Sequence, residues 1–231
     1  MTARTRPIVA IDGPVGAGKS TVARALASAL GLSYLNTGAM YRAVAVAARA
    51  AGLGFESPDL EAALARILGA ITIRFDGERL ILDGRDVTPT LSEPAIGELA
   101  SQLSTLAIVR DRMRDLQRAA GAAGGVVMEG RDIGTVIFPD AEFKFFLDAA
   151  VEERARRRYE ELAAKGGGPS YEEVLEQLRE RDRRDRGRAL APLKPAPDAI
   201  TLDSTGIAVD EIVAIMRRSI EGRVARDLKP G

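Results

Sequence analysis

The stretch Ile8-Val9-Ala10-Ile11-Asp12-Gly13-Pro14-Val15-Gly16-Ala17-Gly18-Lys19-Ser20-Thr21 changes character twice. Four apolar residues, stopped by Asp-Gly, read as a short buried strand. Gly13 to Ser20 then matches G-x-x-x-x-G-K-[ST] at every fixed position, and an Ala/Leu-rich helical pattern opens directly behind it. The glycines let the main chain wrap until successive N–H groups aim at one anion. The helix beginning at Lys19 adds the positive end of its dipole. Lys19 can reach the β- and γ-phosphates of a triphosphate, and the Ser20 hydroxyl is a hard oxygen suited to Mg2+. The spacing therefore predicts ATP held with Mg2+ by Gly13, Pro14, Val15, Gly16, Ala17, Gly18, Lys19, Ser20 and Thr21, with Ser20 on the metal.

Working outward, the first helix closes at Gly31, and Leu32 to Leu35 gives a second short strand. Thr37 can N-cap a helix carrying Met40, Tyr41, Val44 and Ala48. Ser57-Pro58 opens another, with Leu60, Leu64, Ile67 and Leu68 on one face. Strand, helix, strand, helix predicts an α/β fold: a parallel central sheet with flanking helices, of the phosphate-loop NTPase kind. Residues 71–88 interrupt the rhythm. Two Asp-Gly turns, at 76–77 and 83–84, separate short alternating runs, which predicts a small antiparallel β insertion. A long helical stretch runs from Ser92 to near Gly121, and Gly125 to Met128 and Phe143 to Leu147 are further strands. Residues 151–188 are polar and Arg-rich, broken by Gly166-Gly167-Gly168-Pro169; they predict two helices that bury almost nothing, hence a helical lid. A proline-rich linker at 191–197, a last strand at 199–202 and a last helix at 207–224 complete the chain.

Composition excludes much chemistry. The 231 residues contain no His, Cys or Trp, so imidazole bases, thiolate nucleophiles, disulfides and His/Cys metal sites are all absent. Lys+Arg and Asp+Glu are 33 each, but 28 of those cations are Arg, whose planar fork grips phosphate with two hydrogen bonds at once. An Arg-rich genome would give the same bias. The N-terminal MTARTRPIVAIDG has no apolar core of a leader, and no apolar run is long enough to span a bilayer, which makes the cytoplasm the expected location. An Asn-Lys-x-Asp guanine-reading motif is missing, which argues against a GTP switch. A small kinase remains, with an acceptor site to be built from the rest of the chain.

Three Arg groups stand at expected strand ends or on helices: Tyr41-Arg42, Arg131-Asp132, and Arg181, Asp185 and Arg188 at i, i+4 and i+7 of one helix face. Ligands of open α/β sheets sit at the carboxyl ends of strands, where Arg42 and Arg131 fall. The alternative for the last group is a solvated helix laced with ion pairs. Six Arg and three acids between Arg179 and Arg188 leave too little net charge for a nucleic-acid surface.

GPVGAGKST, NTGAMYRA (36–43), EGRDIGTVIFPDAEFKFFLDA (129–149), RERDRRDRGRALAPL (179–193) and DAITLDST (198–205), in this order, resemble the bacterial cytidylate kinase family over nearly the whole chain. The resemblance implies ATP-dependent phosphorylation of CMP and dCMP to CDP and dCDP, within pyrimidine nucleotide metabolism. It implies a base pocket of Ser101, Arg110 and Asp132, ribose contacts from Tyr41, Arg181 and Asp185, and acceptor-phosphate contacts from Thr37, Arg42, Arg131 and Arg188. Lys19, Arg131, Arg181 and Arg188 would then be the catalytic residues. It implies one domain: a core of about 1–50, 101–150 and 196–231, a monophosphate-binding insertion of about 51–100, and a lid of about 151–190. Small-molecule nucleotides are the expected partners, with no nucleic acid or membrane, and the balanced charge suits a monomer. Asn36, Ser20 and Glu129 stand where other members often carry Asp, Gly and Asp; Glu129, at a strand end, is placed to hold a magnesium-bound water. A kinase preferring UMP or AMP, and a nucleotide-dependent regulator binding RNA or a protein through the Arg-rich segment, stay open alongside.

Overall fold

A computed structural model describes residues 4, 6–164 and 166–227, the last five by backbone only. Residues 1–3, 5 and 228–231 of the expected core and residue 165 of the expected lid lie outside the described residues. The elements run β1 (Ile8–Asp12), α1 (Lys19–Leu30), β2 (Ser33–Asn36), α2 (Thr37–Ala50), α3 (Leu60–Ala70), β3 (Ile73–Asp76), β4 (Arg79–Leu82), β5 (Arg85–Asp86), α4 (Pro94–Leu103), α5 (Ala107–Gly121), β6 (Val126–Gly130), β7 (Phe143–Asp148), α6 (Val151–Ala163), α7 (Tyr171–Gly187), β8 (Ile200–Asp203) and α8 (Val209–Asp227). They form two compact units, one of residues 1–34 and 123–231, the other of residues 35–122.

The first unit is built on a five-stranded sheet in the order β2-β6-β1-β7-β8. β1 pairs parallel with β6 (Ile8 opposite Val126) and with β7 (Val9 opposite Phe143), and β7 pairs parallel with β8. Every residue of β1 and β6 is buried, which is why both read as unbroken apolar runs instead of alternating ones. One face of the sheet closes against α1 and α8 through Val9, Ile11, Leu26, Phe145, Ile212 and Met216. Central strand β1 therefore delivers the loop 13–18 to the carboxyl edge of the sheet, with α1 starting at Lys19. The α6–α7 segment buries more than its composition predicts. Ala155, Val174 and Leu178 form a small apolar cluster, and Arg154 and Asp185 of the same segment are also buried.

The second unit contains α2 to α5 and the antiparallel sheet β3-β4-β5, so the expected insertion is present as three short strands. Three local expectations need correction. Asn36, not Thr37, caps α2: its side chain accepts from the Ala39 N–H at 3.1 Å, and Thr37 is the first helical residue. Two adjacent cap-competent residues compete there, and the amide one position earlier wins. Ser57 ties a turn, accepting from Gly54 N–H at 2.9 Å, and α3 starts only at Leu60. The long helix expected from Ser92 to Gly121 is two helices. Ser104 Oγ donates to Ser101 O and Thr105 Oγ1 to Gln102 O, both at 2.7 Å, and Leu106 is extended. Such back-bonding side chains compete with the helix ladder and end α4 there.

The cap assignment carries a prediction. Asn36→Ala should lower unfolding stability by about 1 kcal/mol, and Thr37→Ala by clearly less, in urea titrations followed by circular dichroism.

Candidate active site

The phosphate loop takes its shape from what lies behind it. Gly13 has φ 151°, and a Cβ there would fall 1.9 Å from the Leu147 carbonyl oxygen on β7. Gly16 has φ 81°, and its Cβ would lie 3.0 Å from that of Arg154 on α6. No other residue type satisfies both the backbone conformation and the close approach at Gly13. Lys19 is buried at the start of α1, and its Nζ donates to Pro14 O. Burial, together with the neighbouring Arg131 guanidinium, holds the Lys19 ammonium well below its ordinary pKa, against the opposing charges of Glu129 and Asp12.

Two carboxylates support this loop from β1 and β6. Glu129, at the end of β6, accepts from Ser20 Oγ at 2.9 Å and, on its other oxygen, from the Tyr34 hydroxyl. Burial and the Glu129 charge push the Tyr34 hydroxyl far above its usual pKa, so it stays a donor. A serine hydroxyl beside one carboxylate is a hard-oxygen pair that suits Mg2+, which takes few protein ligands and completes its shell with phosphates and water. Asp12 ends β1 and accepts from the N–H groups of Ile133 and Gly134, both at 2.8 Å. It pins the single π-helical turn Ile133–Ile137 and so fixes the approach of Arg131 and Asp132, which immediately precede it. Burial pushes its carboxyl up to about 6, against the lowering effect of those two donors.

Around Asp185 the arginines gather. Arg131 Nε donates to its carboxylate at 3.2 Å, and Arg188 lies 3.8 Å away. Burial pushes Asp185 upward, but Arg131, Arg181 and Arg188 together outweigh it and hold the carboxyl below the usual range. Arg188 does not stand on the α7 face as its spacing predicts. α7 ends at Gly187, and Arg188 is its extended C-cap, with Nε donating to Ala191 O at 2.6 Å. Asp132 is fully within the first unit and buried.

The remaining expected residues belong to the second unit. Thr37 is buried at the start of α2; Tyr41 and Arg42 follow on the same helix, half-buried. Arg110 of α5 is buried, lies 6.0 Å from the Tyr41 ring centre and donates to Ser104 O at 3.3 Å. Ser101 on α4 is buried, and its carbonyl is the one that accepts from Ser104. Beside the phosphate loop, a cavity of about 490 Å3 is lined by Gly18, Thr21, Arg157, Ser204, Gly206 and Ile207, among others. Arg157 is held at its wall by Glu153 (2.9 Å) and Ser204 O (2.7 Å). Sequence reasoning did not find Asp12, Tyr34 or Arg157. An Asp directly before the glycine loop was the available signal for the first; the other two depend on tertiary contacts.

A parallel sheet whose central strand runs through a glycine-rich loop into a helix opened by Lys-Ser defines a phosphate-loop nucleotide-binding protein. The crystal structure of an uncharacterised protein from Eubacterium ventriosum shares this fold, with a TM-score of 0.53 at 13% identity, over 94% of this chain and 99% of that one. The family model for cytidylate kinase matches residues 9–222. Cytidylate kinases of Geobacter sp. strain M21 (48% identical, covering 95% of this chain and 94% of that one) and Chlorobaculum tepidum (49%, 90% and 90%) are close relatives. The chain belongs to the cytidylate kinase family and is a kinase.

Asp12 gives a pH prediction. Its carboxyl is raised from an ordinary value near 4 to about 6 in the fold, so its ionisation opposes folding. Its contribution is most favourable below about pH 4, declines as pH rises to about 6 and is constant above, a change on the order of 3 kcal/mol. Asp12→Asn cannot ionise. Denaturant unfolding at pH 4, 5, 6 and 7 should show the variant gaining on the parent by about 2–3 kcal/mol across that window. A constant difference, or one of opposite slope, contradicts the assignment.

Proposed function

We propose that the chain transfers the γ-phosphoryl group of ATP to the α-phosphate of CMP and dCMP, giving CDP and dCDP in pyrimidine nucleotide metabolism. The observation that carries this is the intact phosphate loop within a chain that matches cytidylate kinases over nearly its full length. An oxygen of the acceptor α-phosphate attacks the γ-phosphorus in line; the bond from that phosphorus to the β–γ bridging oxygen breaks, and ADP leaves. The attacking oxygen is already anionic, so no general base is needed and a chain without His suffices. The protein positions two polyanions and offsets their charge.

In this reading the amides of Gly13 to Ser20 and the Lys19 ammonium hold the donor phosphates, with Thr21 beside them. The purine occupies the cavity beside Arg157 and Ser204. Ser20 would hold Mg2+ and Glu129 one of its waters; when bound, the ion would supply charge neutralisation for the donor phosphates. Thr37, Arg42, Arg131 and Arg188 take the acceptor phosphate, and Tyr41, Arg181 and Asp185 its ribose. Ser101, Arg110 and Asp132 read cytosine. A carboxylate beside a guanidinium suits the N4 amino group and the N3/O2 edge, whereas uracil would set O4 against the carboxylate. Arg131, Arg181 and Arg188 stabilise the charge that spreads in the transition state. Residues 51–100 serve as the monophosphate-binding insertion and 151–190 as the lid. No helix among the described residues is long and apolar enough to cross a membrane. We place the protein in the cytoplasm as a monomer, which light scattering would test.

A coupled ADP-release assay over the four monophosphates and their deoxy forms tests the substrate. CMP and dCMP should exceed UMP and AMP in kcat/KM by at least about a hundredfold; equal or better turnover of UMP or AMP contradicts the reading. Lys19→Ala should lower kcat by about a hundredfold or more with the circular dichroism spectrum unchanged. Asp132→Ala should raise KM for CMP by about 10–100-fold while moving KM for ATP less than about threefold. Equal effects on both substrates would displace Asp132 from the base pocket.

A further inference from the structure

Arg154 has no part in the assignments above, yet it is among the most enclosed charged side chains, 3% exposed. Its guanidinium joins three parts of the first unit. NH1 donates to Val15 O of the phosphate loop at 3.3 Å, and Nε to Ala149 O at 2.9 Å. NH1 and NH2 form a two-pronged pair with Asp182 of α7, at 3.2 and 2.6 Å. Its own backbone and Cβ press on Gly16 so closely that a side chain there would meet them at 3.0–3.2 Å.

Each contact has a consequence. A carbonyl of the loop held outward by Arg154 fixes the Val15–Gly16 peptide plane, and so sends the Gly16 N–H the opposite way. Asp182 lies one residue from Arg181 and three from Asp185, on the same helix. A bidentate guanidinium–carboxylate pair fixes orientation as well as distance, which a single ammonium contact would not. Burial of the Arg154 guanidinium keeps water from competing on its side of the pair, whereas Asp182 is only partly buried.

We propose that Arg154 is a positioning residue that couples the donor loop to helix α7 through Asp182, so that the two nucleotides bind cooperatively. The proposal rests on the reading that Gly13 to Ser20 hold ATP and that α7 contributes acceptor contacts. An ATP analogue in the loop fixes the Val15 peptide, Arg154 transmits that constraint to Asp182, and α7 presents Arg181 and Asp185 in their bound placement. By linkage the effect is reciprocal: CMP tightens the analogue by the same factor.

The test uses Asp182→Asn and Asp182→Glu. Asp182 lines an open cavity of about 560 Å3, with Val151, Arg179 and Arg186, so the longer Glu side chain has room. Calorimetric titration gives the CMP affinity with and without a non-hydrolysable ATP analogue, at a temperature where circular dichroism shows each variant folded. The parent should bind CMP at least about threefold tighter with the analogue present; Asp182→Asn should bring that ratio to about one, and Asp182→Glu should restore most of it. A purely structural role would lower melting temperature or active fraction and leave the ratio unchanged. A parent ratio of one, or an Asp182→Asn ratio equal to the parent's, overturns the proposal. Failure of the parent to bind CMP at all overturns the acceptor reading instead.

Discussion

The main-chain amides between β1 and α1 can converge on one anion only because the loop is packed from behind without side chains in the way. The Leu147 carbonyl occupies the place of a Cβ at Gly13, and the Arg154 backbone presses on Gly16. The sheet order puts β7 directly beside β1, so the loop and the Leu147 wall are fixed by the same hydrogen-bonded ladder. Lys19 is buried within this arrangement at a depressed pKa, and its Nζ donates to the Pro14 carbonyl. A bound triphosphate would add negative charge beside this buried ammonium.

The same logic governs the arginines. Asp185 is one buried carboxylate set among Arg131, Arg181 and Arg188, which together lower its pKa despite burial. Three guanidinium groups act on one buried carboxylate, and the fold holds them near it. Such fixed charge costs no rearrangement at the moment of transfer, which is how a chain lacking His and Cys can still catalyse a reaction between two anions. Asp12, at the end of β1, fixes the turn that follows Arg131 and Asp132.

What the sequence made legible was local. The phosphate loop, the apolar strands β1 and β6 and the two Asp-Gly turns depend on residues within a few positions of one another. At the second turn Asp83 and Gly84 both take positive φ, the conformation their types favour. What stayed hidden was competition and long range. Asn36 and Thr37 are both competent caps, and only the folded backbone selects between them. The break between α4 and α5 comes from Ser104 and Thr105 bonding back to the preceding turn, which helical periodicity does not register. The α6–α7 segment looked almost unburied because its enclosed groups are Arg154 and Asp185 together with few apolar residues. The Arg154–Asp182 pair joins positions 28 apart, and no spacing rule foretells it. Of the expected site, Arg131, Arg181, Asp185 and Arg188 do come together; for Thr37, Tyr41, Arg42, Ser101 and Arg110, family resemblance remains the guide to their role.

The most direct measurement is a crystal structure of the protein with a non-hydrolysable ATP analogue, Mg2+ and CMP. The account predicts the β- and γ-phosphates within hydrogen-bond reach of the Gly16 to Ser20 amides and of Lys19 Nζ, with the CMP phosphate on Arg131 and Arg188 and in line with the γ-phosphorus. A triphosphate bound away from this loop, or a CMP phosphate with no contact to either arginine, would contradict it.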